Sequence, residues 1–218
     1  MRINTFGKLG ITAVAATATL GLSMGTAWAT HQYVVSGGPS YTAESDGSID
    51  FVVYDQNGNQ TVAMGCAAVE AEGDVNVGTT ARPGALASID STTWLNCTGP
   101  GNLNMAVTQD SVWDIVGTGA ATAGNSDVIA GYVDGVEATV EDTDLGGAAC
   151  SFTVSGTADG SFDEGAQQLN IDETAGNLVI DSVSAPCLGV VDVGYTADFI
   201  GTFDVDAGSP ILVDSPAH

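Results

Sequence analysis

The sequence predicts an all-β fold, either a β-sandwich or a flattened β-barrel of antiparallel strands, braced by two disulfide bonds. Three observations indicate this class. Short segments suited to strands recur roughly every 8–12 residues. Turn signals such as Asn57-Gly58 and Asp159-Gly160 separate them. No window has a convincing helical period. Such regular spacing is typical of sandwiches and barrels.

The first 29 residues are predicted to be a secretory signal peptide. Arg2 and Lys8 give a positive start, residues 9–25 are apolar, and Ala27-Trp28-Ala29 is a small-x-small cleavage sequence. We therefore expect residues 30–218 to form a single secreted β domain. No later segment has the roughly 18 uninterrupted apolar residues of a spanning helix, so a transmembrane protein is not expected.

Strands are predicted along the first part of this domain. After a short segment at 30–35, residues 48–54 and 61–66 form a hairpin around Asn57-Gly58. The stretch 67–78 stays ambiguous between a strand and a helical turn. The later elements of this part are strands at 85–90, 102–108 and 111–116, followed by a glycine-rich connector at 117–125.

The second part has cleaner strand signals. Six strands are predicted, at 128–133, 136–141, 150–157, 168–172, 177–182 and 190–205. The turn chemistry between them lies at Asp134-Gly135, at 144–147, at Asp159-Gly160 and at 175–177. Residues 208–218 contain Pro210 and Pro216, so we expect them to fray or to lie along a sheet edge.

Four cysteines follow the predicted signal: Cys66, Cys97, Cys150 and Cys187. An even number in an exported chain is typical of disulfides. Of three connectivities we favour Cys66–Cys97 with Cys150–Cys187, because each half of the domain is then self-contained. Each bridge would contribute about 3.5–4 kcal/mol by restricting the unfolded chain. Zinc is a poor alternative, since no Cys pair has C-x-x-C spacing.

Two halves, 30–120 and 121–218, share features that suggest an internal duplication. Ile89-Asp90-Ser91 precedes Cys97, and Ile180-Asp181-Ser182 precedes Cys187 at nearly the same spacing. The other interpretation is that two β-hairpins closed by disulfides converge on a similar pattern.

The charge excludes several kinds of partner. After residue 29 there are 27 acidic residues and one basic residue, Arg82, which gives a formal net charge of −26. Nucleic acid is excluded because Lys and Arg must neutralise its phosphates. Anionic lipids and wall polymers would be repelled. Two interpretations of the acidity remain, solubility in a salty habitat and cation binding.

No catalytic residue and no resident cofactor are predicted. A Ser-His-Asp site needs a base beside the nucleophile, yet the two histidines, His31 and His218, lie at the two ends of the predicted domain, and no Gly-x-Ser-x-Gly sequence occurs. His31 would be an amino-terminal copper ligand only if cleavage followed Thr30 and His218 completed the site. An ordinary terminal histidine is the preferred interpretation.

Calcium is the one metal that the sequence suggests. Asp142 and Asp144 have a ligand-like spacing in a predicted turn, and they are our candidate calcium ligands. Asp55-x-Asn57-x-Asn59 has the same spacing, but it lacks the remote bidentate Glu of an EF-hand. A hairpin turn explains it better.

Two further groups of residues were candidates for chemistry. Asp163-Glu164 and Glu141-Asp142 are adjacent carboxylates of the kind that a glycosidase uses as acid and base. Trp94 and Trp113 are candidate sugar-stacking platforms. For Trp94 we prefer packing on the nearby bridge, because Trp94 lies three residues before Cys97.

Six segments form a recognisable set: Trp94-Leu95-Asn96-Cys97-Thr98-Gly99-Pro100, Val112-Trp113-Asp114, 135–140, 147–156, 178–189 and 195–205. Together they resemble a group of small secreted actinobacterial proteins with four cysteines and no characterised function. The resemblance covers roughly residues 60–215. It implies export, four cysteines and an all-β fold, and it implies no activity, ligand or site. This chain departs from the group in its acidity and in having no lysine after residue 29, which suggests adaptation to salt.

The sequence therefore predicts a secreted, non-enzymatic protein of the extracellular space or cell surface, with a structural or binding role. Its ligand is an unidentified extracellular glycan or protein. The alternatives are a secreted carbohydrate-active enzyme that uses paired carboxylates and a calcium-stabilised adhesive module.

Overall fold

The computed structural model describes residues 32–124 and 126–215, so the predicted signal peptide, His31 and His218 lie outside the described residues. This part of the chain contains sixteen strands and one three-residue 3-10 turn, Pro100–Asn102. The strands are β1 (Gln32–Ser36), β2 (Ser40–Ser45), β3 (Ile49–Tyr54), β4 (Gln60–Cys66), β5 (Ala68–Asp74), β6 (Gly78–Ala81), β7 (Gly84–Ile89), β8 (Ser91–Leu95), β9 (Cys97–Thr98), β10 (Asn104–Gln109), β11 (Trp113–Gly117), β12 (Val128–Asp142), β13 (Cys150–Asp163), β14 (Gln168–Pro186), β15 (Thr196–Asp206) and β16 (Leu212–Asp214).

The predicted all-β class is confirmed. All strand pairings among the described residues are antiparallel, and the arrangement is sandwich-like. The order β14-β13-β12-β10-β9-β4-β3-β15 returns on itself, because β15 also pairs with β14. A hydrogen-bonded ring of strands therefore encloses one part of the core.

Both disulfides lie in this ring, and their predicted connectivity is confirmed. Cys66 of β4 is bonded to Cys97 of β9, and Cys150 of β13 is bonded to Cys187, which directly follows β14. All four half-cystines are buried. We call this part of the molecule the disulfide end.

A second set of strands encloses the other part of the core, which we call the far end. There β12 pairs with β11 and β11 with β7, while β15 pairs with β2 and β2 with β5. A single bridge between Val75 and Ala87 brings the β5 and β7 sides together. Strands β12 to β15 therefore run through both ends, and β15 changes its partner from β3 to β2 after Ile200.

The long strands change register where the two ends meet. At this junction the irregularities lie between Val133 and Val136 of β12, between residues 156 and 160 of β13, and between Glu173 and Leu178 of β14. Strand β13 has two further irregularities near its start, between residues 151 and 152 and between residues 153 and 154. The sequence prediction was wrong at the junction, since Asp134-Gly135, Asp159-Gly160 and 175–177 were expected to be turns between separate strands. Gly135 and Gly176 do have positive φ, but within bulges of continuous strands.

Glu173 occupies the bulge of β14, and its side chain is fully buried. Its carboxylate accepts hydrogen bonds from the backbone N–H groups of Ala175 (2.9 Å), Asn177 (3.0 Å) and Asp159 (3.1 Å). The amide of Asn177 donates a fourth bond at 3.0 Å. Burial alone would raise the pKa of Glu173, but these donors together hold it below its ordinary value. The carboxylate thus satisfies N–H groups that the bulge removes from the β ladder.

The candidate halves 30–120 and 121–218 share one sheet. Strand β15 from the second half lies between β3 and β2 from the first. Gly117 of the expected connector 117–125 is the last residue of β11, and residues 118–124 follow it on the way to β12, with which β11 pairs. The ambiguous stretch 67–78 contains strand β5, whose inward residues Val69 and Gly73 are buried. The duplication itself stays a hypothesis.

Of the segment 208–218, which was expected to fray or to lie along an edge, residues 208–215 are described, and they contain the edge strand β16. Strand β16 pairs with β1 at the margin of a separate sheet of order β16-β1-β6. Tyr33, Val35 and Val213 of this sheet are buried in the core. Among the described residues, no helix has the length and apolar character needed to cross a membrane.

Replacing Glu173 by Ala should lower the free energy of unfolding by about 3–5 kcal/mol, because several buried donors lose their acceptor. Glu173→Gln should cost less, since one oxygen remains. Urea denaturation would measure both. The control is Thr174→Ala, an exposed change in the same bulge that should stay within about 0.5 kcal/mol of the parent. A loss below about 1 kcal/mol for Glu173→Ala would show that the bulge does not need the carboxylate.

Candidate functional site

The clearest surface feature is an acidic cleft on the outer face of the sheet formed by β15, β2, β5 and β8. Its larger part has a volume of about 520 Å³ and is lined by five exposed carboxylates: Glu44, Glu70, Glu72, Asp204 and Asp206. A contiguous part of about 470 Å³ shares Glu72 and Asp206 and adds Asp74 and Asp90. We use the name acidic cleft for the surface around these seven residues.

Strand pairing sets the carboxylates in rows. Asp204 lies directly opposite Glu44, and Glu44 lies directly opposite Glu70, so one row crosses three adjacent strands. On β5, Glu70, Glu72 and Asp74 follow at every second position and therefore point to the same face. The intervening residues of these strands, such as Ala43 and Val69, point inward to the core.

These rows are electrostatically unfavourable in the free protein. Like charges directly opposite each other on neighbouring strands destabilise a sheet. Two unit charges 4 Å apart repel by about 1 kcal/mol in water, and dissolved salt screens that repulsion. Arg82, the single basic residue after position 29, lies in the turn between β6 and β7, and it lines neither part of the cleft.

Two neutral side chains contact the rows at their margins. The Ser91 hydroxyl donates to Glu72 at 3.0 Å, and the Gln168 amide donates to Asp204 at 2.8 Å. The remaining oxygens of the cleft point to solvent on exposed side chains. Such a surface can bind positive charge, since carboxylates accept charge-assisted hydrogen bonds from ammonium and guanidinium groups.

The predicted calcium ligands do not share one site. Asp142 is buried, and its oxygens accept backbone hydrogen bonds from Leu145 (2.7 Å), Ala149 (3.0 Å) and Cys150 (3.0 Å). Asp144 is exposed and accepts two bonds of 2.9 Å from Asn104. No cluster of three or more potential metal ligands occurs within the described residues. A calcium ion would have to replace these hydrogen bonds, so calcium binding here stays a prediction.

The same bonds shift the titration of both aspartates. Burial alone would raise the pKa of Asp142, but three N–H donors together hold it below its ordinary value. The backbone and side-chain donors of Asn104 lower the pKa of Asp144. Asp142 thus acts as a cap for the loop that leads into the Cys150 bridge.

The candidate pair Asp163-Glu164 also has a structural role. Glu164 is 2% exposed and accepts backbone hydrogen bonds from Val213 and, at 3.3 Å, from Asp127. Burial raises its pKa, and the nearby Asp127 and Asp214 add to that rise. A raised pKa suits a general acid, but a side chain this buried is out of reach of a polysaccharide. Asp163 caps the following turn by accepting from Ala166 N–H at 2.9 Å.

The Asp55 motif is a hairpin turn, as preferred from the sequence. One Asp55 oxygen accepts the backbone N–H groups of Asn57 and Asn59, each at 2.8 Å. Several hydrogen bonds lower the pKa of Asp55 to about 2, and those from Asn59 have the largest effect. The turn connects the paired strands β3 and β4.

Neither tryptophan forms a flat platform on the surface. Trp113 is buried, and its indole N–H donates to the Glu137 carbonyl at 3.3 Å. Trp94 is half-buried, and its ring lies 5.8 Å from that of Phe199, centroid to centroid. Its N–H donates to Thr92 at 2.9 Å.

The acidic cleft was not predicted from the sequence, although part of its signal was present. Alternating acids at Glu70, Glu72 and Asp74 indicate one exposed strand face. Nothing local indicates that Glu44 and Asp204 lie beside this face, because that depends on pairing between distant strands.

Comparisons with known proteins add no relative to this picture. No protein-family model, no curated protein and no solved structure matches the chain. The resemblance to secreted actinobacterial proteins therefore stays a prediction.

Asp142 and Asp144 provide a matched pair for a stability test. Asp142→Asn should lower the melting temperature at pH 7 clearly more than Asp144→Asn, because it places an amide against buried N–H donors. Because the pKa of Asp142 is lower in the folded protein than its ordinary value of 3.8, the ionised carboxylate stabilises the fold at any pH above 3.8. This stabilisation is lost as the pH falls through the pKa of the folded state. The difference between Asp142→Asn and the parent should therefore shrink in acid. Thermal unfolding from pH 7 to pH 2 would measure it, and equal losses for the two variants would contradict the capping role.

Proposed function

We propose that this protein is secreted and acts without catalysis at the cell surface or in the extracellular space. In this proposal its acidic cleft binds an extended, basic segment of a protein ligand. The observation that carries the proposal is the row of like charges across β15, β2 and β5, which is unfavourable until positive charge is added.

The spacing along β5 supports an extended ligand. Alternate residues of a strand lie about 6.6–6.8 Å apart. Glu70, Glu72 and Asp74 therefore present carboxylates at the spacing with which an extended peptide presents every second side chain. Lysine or arginine at alternate positions of such a peptide would meet one carboxylate each, and the row through Glu44 and Asp204 would provide further partners.

The disulfides support export. Two bridges close loops with sequence separations of 31 and 37 residues, and such bonds persist in oxidising compartments. The amino-terminal pattern described above points the same way. No half-cystine lines the acidic cleft and all four are buried, so the role of the bridges is to stabilise the fold that presents the cleft.

A carboxylate glycosidase is the second candidate, and one observation favours it. Directly opposed acids such as Glu44 and Glu70 lie in a concave surface, as an acid–base pair requires. The cleft carboxylates are nevertheless exposed to water, whereas a general acid must be kept protonated near neutral pH, usually by burial. Binding is therefore the function that the cleft supports better.

A peptide with lysine at alternate positions tests the proposal. The parent should bind Lys-Thr-Lys-Thr-Lys in calorimetric titration, and Glu70→Gln/Glu72→Gln should weaken the affinity at least tenfold. The control is Glu137→Gln/Glu141→Gln, which removes the same charge from exposed positions of β12 and should change the affinity less than twofold. Added NaCl should weaken binding in every protein that binds.

Two results would contradict the proposal. Equal weakening by both double variants would show that net charge alone matters, which is the salt-adaptation interpretation. If the parent does not bind the peptide, the proposal of a basic peptide ligand is wrong. Hydrolysis of a polysaccharide panel by the parent, abolished by Glu70→Gln/Glu72→Gln, would establish the enzymatic alternative instead.

A further inference from the structure

An apolar cavity of about 70 Å³ lies inside the rings of strands. Its walls include Met64 and Val140 at the disulfide end and Leu169 and Phe203 at the far end. The cavity is therefore internal, and it lies behind the sheet whose outer face carries the acidic cleft. Nothing in the proposed function uses it.

The polar atoms in the wall are already bonded. The Tyr41 hydroxyl donates to the Ser88 carbonyl at 2.8 Å, and the Trp113 N–H donates to a backbone carbonyl. Trp94 N–H and the Thr92 hydroxyl are bonded to each other. A buried water needs two to four polar partners, so this cavity is a dry site that favours an apolar occupant.

The shape of the cavity favours a chain over a ring. Its volume is about half that of a cavity of roughly 150 Å³ that binds benzene. Yet its lining on β12 extends from Val133 to Val140, which is about 23 Å along a strand. A small volume with walls at both ends of the molecule is narrow and elongated, which is the form of an unbranched alkyl chain.

The contact between Trp94 and Phe199 is a partly exposed part of the cavity wall. Both line the cavity and both are partly exposed, in contrast to most of its wall. Within the described residues, β8, which carries Trp94, is hydrogen-bonded as a strand to β5 alone. It lies close to the position where β15 leaves β3 for β2, because Phe199 belongs to that part of β15.

We propose that this cavity is a binding site for an unbranched alkyl chain, which enters end-first beside Trp94 and Phe199. The head group remains outside and is neutral or cationic, because residues 30–218 carry a formal net charge of −26 and repel anions. Each further methylene buried should improve the affinity about fourfold, until the cavity is full.

Quenching of tryptophan fluorescence by 1-bromoalkanes tests the site, because bromine quenches an indole on contact and both Trp94 and Trp113 line the cavity. The protein used for the assay begins at Thr30, after the predicted signal peptide, so Trp94 and Trp113 are its only tryptophans. The series from 1-bromopropane to 1-bromohexane should quench saturably, with the affinity rising about fourfold per methylene before it levels off.

Filling the cavity provides the matched comparison. Ala138→Leu enlarges a buried wall residue, and Ala71→Leu enlarges a half-buried one near Trp94. Each should weaken quenching at least tenfold, while Ala185→Leu, a buried position outside the cavity, should leave it unchanged. If circular dichroism shows that Ala138→Leu does not fold, the quenching of Ala71→Leu tests the proposal. Quenching that does not saturate, or that is equal in all variants, would show an empty packing void and overturn the proposal.

Discussion

The buried carboxylate of Glu173 is the constraint on which the two-ended architecture depends. It lies where β12, β13 and β14 all change register, and it accepts four hydrogen bonds, three from Ala175 and Asn177 in the bulge of β14 and one from Asp159 of β13. A buried charge is costly unless donors surround it, and here they do. Because the long strands can bend at this line, the same four strands complete both the disulfide end and the far end.

The two proposed sites lie on opposite faces of the same strands. Alternation on β2 and β5 directs Glu44, Glu70 and Glu72 outward and Ala43 and Val69 inward. The outer face thus collects negative charge, and the inner face contributes to an apolar cavity. The outer face suits cationic groups and the inner face suits hydrocarbon. Because successive side chains of a strand point to opposite faces, the two proposed sites are only one sheet thickness apart.

Local sequence was informative about strands and disulfides because their signals are local. The hairpin at Asn57-Gly58 was predicted for this reason. The connectivity of the four cysteines was predicted from the idea of two self-contained halves, and the pairing is confirmed although the halves share one sheet. The bulges at Gly135 and Gly176 were predicted to be turns, because a glycine adopts positive φ both in a turn and in a bulge. The burial of Glu173 and Asp142 and the row from Asp204 to Glu70 depend on pairing between distant segments, which alternation within one segment does not indicate. The candidate calcium ligands were selected by spacing, and spacing alone does not distinguish a ligand from a cap.

The central claim is that the acidic cleft is a binding surface, and amide chemical-shift mapping tests it most directly. Titration of the isotope-labelled protein with the alternating-lysine peptide should shift amides of β2, β5, β8 and the β15 segment near Asp204. Amides near Glu137 and Glu141 should stay unchanged, although those residues are also acidic and exposed. Small shifts spread evenly over all acidic surfaces would contradict the claim, because they would mean that the carboxylates only solvate the protein.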